Sequence, residues 1–518
     1  MAIKDEKQVI GPLGVIDLGA HSVRLEIVQP LINGFETLED ISFPVPLGPD
    51  VFRTSKISIE NSTLVERIFN DFKRVLTEYD VRHYVAVATS AVREAQNRDL
   101  FLQRIHQHTG IDLEVLEGPA EVRLIFLAVA EALQKRNPIS SGNSLIYTIG
   151  TGSSQLSFLR NGFMQHADTI RLGTLRLAEE QQDRKLSPKR LNKILDTFVA
   201  EMVSGVARIS PSVKAQRLVA VGGPVRGLLA LDRSQHMPQK VGSLSRQRFE
   251  KLYSQLSNGL PADLISTGTI SDTVAKSLEP CCHMLEHLFN ITNADRIEIP
   301  MINTRDALAA DLLRQIRGAP DPFTPHIRSA AKALAERYRC DLEHTSHVRD
   351  YVLALYDQLF DLHALAPRWR LLLEVAAEIH DVGLFISGRA HHKHSYYLIK
   401  NSTLPGITAT EQELLAVVAR YHRKAMPKST HQEYNRLTRT QRVEVSKAAA
   451  ILRVADALDR SHQGKIKSLR AHLGDKGVML RVQAPSDLTF EQWNLNRKSN
   501  LFKEVFGCPV TLVRSGAQ

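Results

Sequence analysis

The stretch Gly14-Val15-Ile16-Asp17-Leu18-Gly19-Ala20-His21-Ser22-Val23-Arg24-Leu25-Glu26-Ile27-Val28 decides how the chain is read. Two runs rich in β-branched and aliphatic residues flank a short polar segment with a glycine, the pattern of strand, tight turn and strand. A second copy follows about 130 residues later: Ser144-Leu145-Ile146-Tyr147-Thr148, then Gly150-Thr151-Gly152-Ser153-Ser154, then Gln155-Leu156-Ser157-Phe158-Leu159. A repeat on that scale predicts two related α/β halves facing each other. A third glycine turn, Gly222-Gly223, ends the strand-like run 217–221. Such turns leave backbone N–H groups unobstructed, which suits phosphate oxygens. One glycine turn is usually only a hairpin tip; three of them, each behind a strand, predict phosphate binding.

Working outward, the apolar spacing of Leu64, Ile68, Phe72 and Val75 predicts a helix over 61–79. A buried strand is expected at 85–87, and helices at 98–107, near 190–206 and over 272–289. Three prolines within the six residues 320–325 mark a boundary. Beyond it the pattern is nearly all helical to 468 and carries most of the histidines. Strand-like runs at 477–482 and 509–513 suggest a small α/β tail. The expected domains are therefore 1–135, 136–316, 326–468 and 469–518.

Composition sets outer bounds. A chain of 518 residues, 43% hydrophobic and 24% charged, is an ordinary globular protein long enough for several cores. Cys281 and Cys282 are adjacent, Cys340 and Cys508 lie far off, and no zinc-finger spacing occurs. A reducing, cytoplasmic setting is expected. No apolar run approaches the ~18 residues of a membrane span, so no membrane role is expected. The net charge of +10 favours polyanionic partners without choosing among them. There is no helix-turn-helix or zinc-finger signature, so nucleic acid is not the expected partner.

Four segments together resemble the exopolyphosphatase and guanosine pentaphosphate phosphohydrolase family. Val15-Ile16-Asp17-Leu18-Gly19-Ala20-His21-Ser22 is similar to its first phosphate hairpin, and Ile149-Gly150-Thr151-Gly152-Ser153 to its second. Ala88-Thr89-Ser90-Ala91-Val92-Arg93-Glu94-Ala95 matches its arginine segment, and Gly118-Pro119-Ala120-Glu121-Val122-Arg123-Leu124-Ile125 the segment with its catalytic glutamate. The resemblance implies an α/β fold of two ribonuclease-H-like, actin-like ATPase half-domains, followed by an all-α HD-type domain and the small tail. It also implies hydrolysis of a terminal phosphoryl group of inorganic polyphosphate or of guanosine pentaphosphate, which yields the tetraphosphate. Glu121 would orient or deprotonate the water, Arg93 would hold the terminal phosphate, and Asp17 would help hold Mg²⁺ (or Mn²⁺). Gly19, Ala20, His21, Ser22, Gly150, Thr151, Gly152, Ser153, Gly222 and Gly223 would cradle the chain phosphates. A homodimer is the expected assembly, since two-fold dimers are the commonest soluble oligomers.

The chain departs from that family pattern. Thr148 stands for the second hairpin's aspartate, Thr151 for its middle glycine and Gln155 for its glutamate. Two carboxylates that would anchor a hard cation are thus neutral, so weaker metal affinity and impaired activity are expected. Pro224 replaces a threonine after the third turn, and the segment Thr304-Arg305-Asp306-Ala307-Leu308 lacks a glycine. A polyphosphate- or alarmone-binding protein without turnover is therefore a competing reading.

In the helical part, His344, His380-Asp381 and Asp456 follow the order of the HD phosphohydrolase superfamily, which that part resembles; the lysine often found after the His-Asp-x-Gly segment is Leu384 here. That resemblance implies a transition metal on His344, His380, Asp381 and Asp456, with His394 and His422 placed for a second one. A metal-dependent nucleotide phosphohydrolase centred there is the alternative enzyme reading. Buried, hydrogen-bonded histidines are the plainer alternative. The run Arg420-Tyr421-His422-Arg423-Lys424, with His391 to His394, also reads as a cationic surface for a polyphosphate tail.

Overall fold

A computed structural model describes residues 10–32, 34–134, 138–140, 142–150, 152–174, 176, 188–209, 215–232, 240–257, 270, 272–423 and 425–515. Thr151 and Lys424 lie outside the described residues. The chain divides into two compact units, Met1–Phe323 and Thr324–Gln518.

The first unit is built on two sheets. In the first, β1 (Leu13–Leu18) pairs antiparallel with β2 (Ser22–Leu31), and β2 with β3 (Gly34–Pro44). On its other side β1 runs parallel to β4 (His83–Ala88), which adds β5 (Glu114–Val115), giving the order β3-β2-β1-β4-β5. Leu13, Val15 and Ile16 are fully buried, as a central strand requires, whereas the edge strand β3 is largely exposed and rich in acidic residues, which discourages edge pairing.

The second sheet repeats this plan. β6 (Ser144–Ile149) pairs antiparallel with β7 (Ser154–Arg160) and parallel with β9 (Arg217–Val221). With β8 (Phe163–Ile170), β10 (Val241–Ser245) and β11 (Arg296–Pro300) the order is β10-β11-β9-β6-β7-β8. The repeat holds residue by residue: Asp17 faces Arg24 and Val87 in the first sheet, and Thr148 faces Gln155 and Val221 in the second. Two β-β-β-α-β halves of this order make the ribonuclease-H-like pair of the actin-type ATPases.

The helices follow from their apolar faces and caps. Ile59–Glu78 starts where the Ser58 side chain accepts from the Asn61 N–H, and it buries Val65, Phe69, Phe72 and Leu76 against the first sheet. Arg98–Thr109 is closed by Gly110 at φ +70. Pro188–Ile209 and Asp272–Ile291 lie with the second sheet's core.

The second unit is helical. Leu342–Gln358, Arg368–Ile379, His391–Lys400, Ala409–Arg420 and Arg439–Leu458 supply its core, and every residue from Leu371 to Ile379 is buried. A three-stranded sheet, β12 (Ser468–Gly474), β13 (Gly477–Gln483) and β14 (Val510–Arg514), forms the tail with two short helices, Thr489–Lys498 and Asn500–Phe506.

Candidate functional site

The two hairpin tips of the first unit share one backbone geometry. The Gly19 N–H donates to the Ser22 carbonyl at 2.9 Å, and the Gly150 N–H donates to the Ser153 carbonyl at 2.9 Å. A Cβ on either glycine would sit tight against that same carbonyl, at 3.3 and 3.2 Å. The Ala20 carbonyl accepts from the Gly48 N–H, and the Gly150 carbonyl from the Thr174 N–H, so each tip is braced from behind. Ala20, Gly152 and Ser153 are buried, His21 and Gly150 are exposed, and Gly19 and Ser22 lie between.

The third turn abuts the second hairpin. Gly222 sits at φ +141, and a Cβ there would collide with the Ile149 carbonyl oxygen. Gly223 opens the helix Gly223–Leu231, with Pro224 in its first turn, where a missing N–H costs little.

Asp17 is the polar residue of β1, and its Oδ1 is cut off from solvent with no hydrogen-bond partner. Burial pushes its pKa up, opposed by the guanidiniums of Arg305 and Arg24. Arg305 is held on the helix Thr304–Ile316, whose capping box joins Asn303 and Asp306, and it donates to Glu26 at 2.7 Å. Arg226 faces Arg24 and Arg305 too; burial and those two cations lower its pKa. Sequence reasoning missed this arginine cluster, because its members come from three distant segments.

Glu121 occupies the first turn of the helix Gly118–Leu133, where the helix N-terminus favours a carboxylate. Arg93 Nη1 lies 3.3 Å from Glu121 Oε2 and donates to the Leu116 carbonyl at 2.5 Å. Burial raises the Glu121 pKa; Arg93 opposes this, Asp17 reinforces it, and the Gln155 amide favours the charged form. Gln155 is buried, yet its Nε2 completes no full hydrogen bond. One carboxyl group therefore answers to both hairpins, through Asp17 of the first and Gln155 of the second. An orphaned carboxylate oxygen beside a second carboxylate fits a hard divalent cation, although two further carboxylates are absent.

The halves also touch directly. Arg176 donates to Glu94 at 2.7 Å and stacks 4.2 Å over the Phe52 ring. A Cβ on Gly152 would collide with Ser90 Oγ, so only glycine lets the second tip approach the arginine segment this closely.

The second unit gathers its own constellation from five helix ends. Four imidazoles are set alike: the Nδ1 atoms of His380, His422 and His391 lie 2.8, 2.6 and 3.2 Å from the carbonyls of Ala377, Ala419 and Gly388. His344 Nδ1 lies 2.9 Å from the Asp459 carboxylate. Their Nε2 atoms turn toward Asp381 and Asp456. Asp381 Oδ1 is 3.3 Å from His391 Nε2 and 3.4 Å from His422 Nε2; His380 Nε2 is 3.7 Å from Asp381 Oδ2, and His344 Nε2 is 3.7 Å from Asp456 Oδ1. Ligands at metal bonds of ~2.0–2.1 Å stand about 3.3 Å apart, so these spacings suit a borderline transition metal. Nε2 of His344 and His380 and Oδ1 of Asp381 are buried without hydrogen-bond partners, and an outward Nδ1 contact is what orients a ligating imidazole. Burial pushes the His422 imidazole down to about 3, which keeps it neutral.

Three details of this centre differ from the sequence reading. His391, not His394, joins Asp381 and His422. His394 is half-buried almost a turn further along the same helix, outside both groups. Gly383 held the signal: a Cβ there would strike the His391 carbonyl and the Ser395 N–H, so the glycine exists to bring the His391 end close. Asp456 also has a partner that was not anticipated, Lys498 of the tail helix, which forms an ion pair with it. Burial works to raise the Asp456 pKa, but Lys498 and the imidazoles outweigh it and leave it lowered. Part of the expected cationic surface lies inside: Tyr421 and His422 are buried, and buried Arg420 pairs with Glu433 at 2.8 Å, whereas Lys393 is exposed.

Known proteins resemble this chain along much of its length. Guanosine-5'-triphosphate,3'-diphosphate pyrophosphatase of Aliivibrio fischeri is 24% identical over 417 residues, 80% of this chain and 81% of that protein. The protein of the same name from Vibrio vulnificus is 25% identical over 415 residues, 79% of this chain and 80% of its own. The crystal structure of an exopolyphosphatase from Cytophaga hutchinsonii superposes with a TM-score of 0.51 at 21% identity, covering 60% of this chain and 99% of that one. Residues 327–504 match Ppx/GppA phosphatase, domain III, and residues 33–314 match the Ppx/GppA phosphatase family itself. With more than half of its length matched and the double half-domain fold in place, the chain belongs to the Ppx/GppA phosphatase family.

Proposed function

We propose that the cleft of the first unit hydrolyses the terminal phosphoryl group of inorganic polyphosphate or of guanosine pentaphosphate with the aid of Mg²⁺ or Mn²⁺. The observation that carries this reading is the position of Glu121, whose carboxyl group is coupled to Asp17 on one hairpin and Gln155 on the other. A group so placed meets a phosphate held between the two tips. In its ionised form Glu121 takes a proton from water as the oxygen attacks phosphorus, and the shortened phosphate chain leaves. The Arg93 guanidinium, already directed at Glu121, holds the equatorial oxygens of the transferring group. The backbone N–H groups of the tips bind the following phosphates. Asp17 would help hold the cation, which would neutralise charge on the phosphoryl oxygens.

The proposal is tested by Glu121→Gln assayed for phosphate release against both substrates. Turnover is expected to fall by ~10³-fold while binding of the phosphate chain persists. Unchanged turnover sinks the assignment.

A second reading places metal-dependent phosphohydrolysis in the helical unit, and the four inward Nε2 atoms favour it. His344, His380, His391, His422, Asp381 and Asp456 would hold one or two transition ions. Metal analysis of the purified protein separates the readings. No Mn, Fe, Ni or Zn bound near one equivalent, before or after reconstitution, removes the second.

A further inference from the structure

The helix Asp272–Ile291 turns Cys281, Cys282, Met284, Leu285, Leu288 and Phe289 into the core of the second half-domain. That helical phase leaves His283 and His287, one turn apart, on the outer seam beside the neighbouring helix Pro188–Ile209. From that helix, which buries Leu195 and Val199, Asp196 reaches across the seam. Its Oδ1 lies 2.8 Å from His283 Nε2 and 2.8 Å from His287 Nε2. The two imidazoles sit edge to face with centroids 4.9 Å apart.

We propose that Asp196, His283 and His287 form a binding site for a divalent transition cation of the Zn²⁺ class, separate from both centres described above. Two histidines at i and i+4 present ring nitrogens on one helix face, and one carboxylate completes a facial set of three. The ligand atoms all lie within 4.8 Å of one another. His283 Nδ1 is held at 3.1 Å by the Tyr253 hydroxyl, which fixes the ring with Nε2 facing the seam. Asp196 is half exposed and His287 is 39% exposed, so a fourth position opens to water. Such a set holds zinc with one exchangeable ligand. A bound ion would cross-link two helices that pack on the same sheet, and so stabilise the second half-domain against unfolding.

The test uses the full chain, dialysed against buffered micromolar Zn²⁺, with bound metal counted for wild type and for the double variant His283→Gln, His287→Gln. The wild type is expected to carry one equivalent more than the variant, whatever the helical unit binds in both. Zn²⁺ should also raise the Tm of the wild type more than that of the variant. Equal metal content overturns the proposal and leaves a hydrogen-bonded His–Asp–His cluster. Should the double variant fail to fold, Asp196→Asn on an exposed helix face carries the same test. Its Zn²⁺ affinity at this site should fall by tenfold or more, and an unchanged affinity and stoichiometry also overturn the assignment.

Discussion

The two hairpins have the same backbone and opposite chemistry. Each closes with a glycine N–H on a serine carbonyl at 2.9 Å. Asp17 faces Arg24 across the first ladder, while the matching positions of the second hold Thr148 and Gln155. A turn of free N–H groups can bind phosphate oxygens with no charged side chain, so the cradle survives the loss of carboxylates. Cation binding does not, because a hard ion needs charged oxygen ligands. On the proposed function, phosphate binding would fall to both hairpins and charge chemistry to the first alone.

Glu121 gives the sharpest way to break that division. If all acid–base work rests on the first half, Glu121→Gln should lower phosphate release by ~10³-fold, within the range of general base catalysis. The same residue sets the pH profile. Burial, reinforced by Asp17 and opposed by Arg93, holds its pKa above the ordinary carboxylate range. Because the ionised form is the base, kcat/KM should fall with decreasing pH while an ordinary glutamate is still fully ionised. A profile whose acid limb sits at the ordinary glutamate value would show that Glu121 is not the base.

Asp17→Asn comes next. It removes the orphaned carboxylate oxygen while keeping the side chain's shape, so Mg²⁺ needed for half-maximal activity should rise by ~10–100-fold, the scale of a lost metal-site contact. Thr148→Ala should barely move it. Equal effects at the two positions would erase the asymmetry between the hairpins.

Gly222 probes the cradle and not the charge. At φ +141, with the Ile149 carbonyl where a Cβ would sit, Gly222→Ala should cost about 1–3 kcal/mol, the range for strained backbone. Urea unfolding measures this directly. Gly11→Ala, with nothing within 4 Å of the added carbon, should be silent.

The same contrast shows what a sequence can disclose. The hairpins were legible because period-two apolar runs around glycine and serine are local signals. So was the helix Ile59–Glu78, expected over 61–79 from its apolar spacing. The arginine cluster beside Asp17 was not legible, because Arg24 and Arg305, which face it, and Arg226, which faces those two, meet only after three segments pack. His391 was passed over for His394, since a histidine-rich run carries no mark of which ring turns inward. That choice is made by the close approach at Gly383. Lys498 was beyond reach as well: it joins Asp456 across 42 residues of chain that fold into a separate sheet and helix.

The smallest expected effect tests the comparison in reverse. Thr148→Asp combined with Gln155→Glu restores carboxylates to the second hairpin without altering its backbone. Half-saturating Mg²⁺ should then fall by ~10-fold, since added charged oxygens tighten a hard-cation site. The variant should also replace the Gln155 amide, which favours ionised Glu121, with a like charge that disfavours it. At low Mg²⁺ the acid limb should therefore move to higher pH, and saturating Mg²⁺ should draw it back by neutralising the added charge. Tighter cation binding without that pH shift would mean the new carboxylates sit away from Glu121. A shift without tighter binding would mean that they face Glu121 but leave the cation to Asp17, and the second hairpin would then be a phosphate cradle alone.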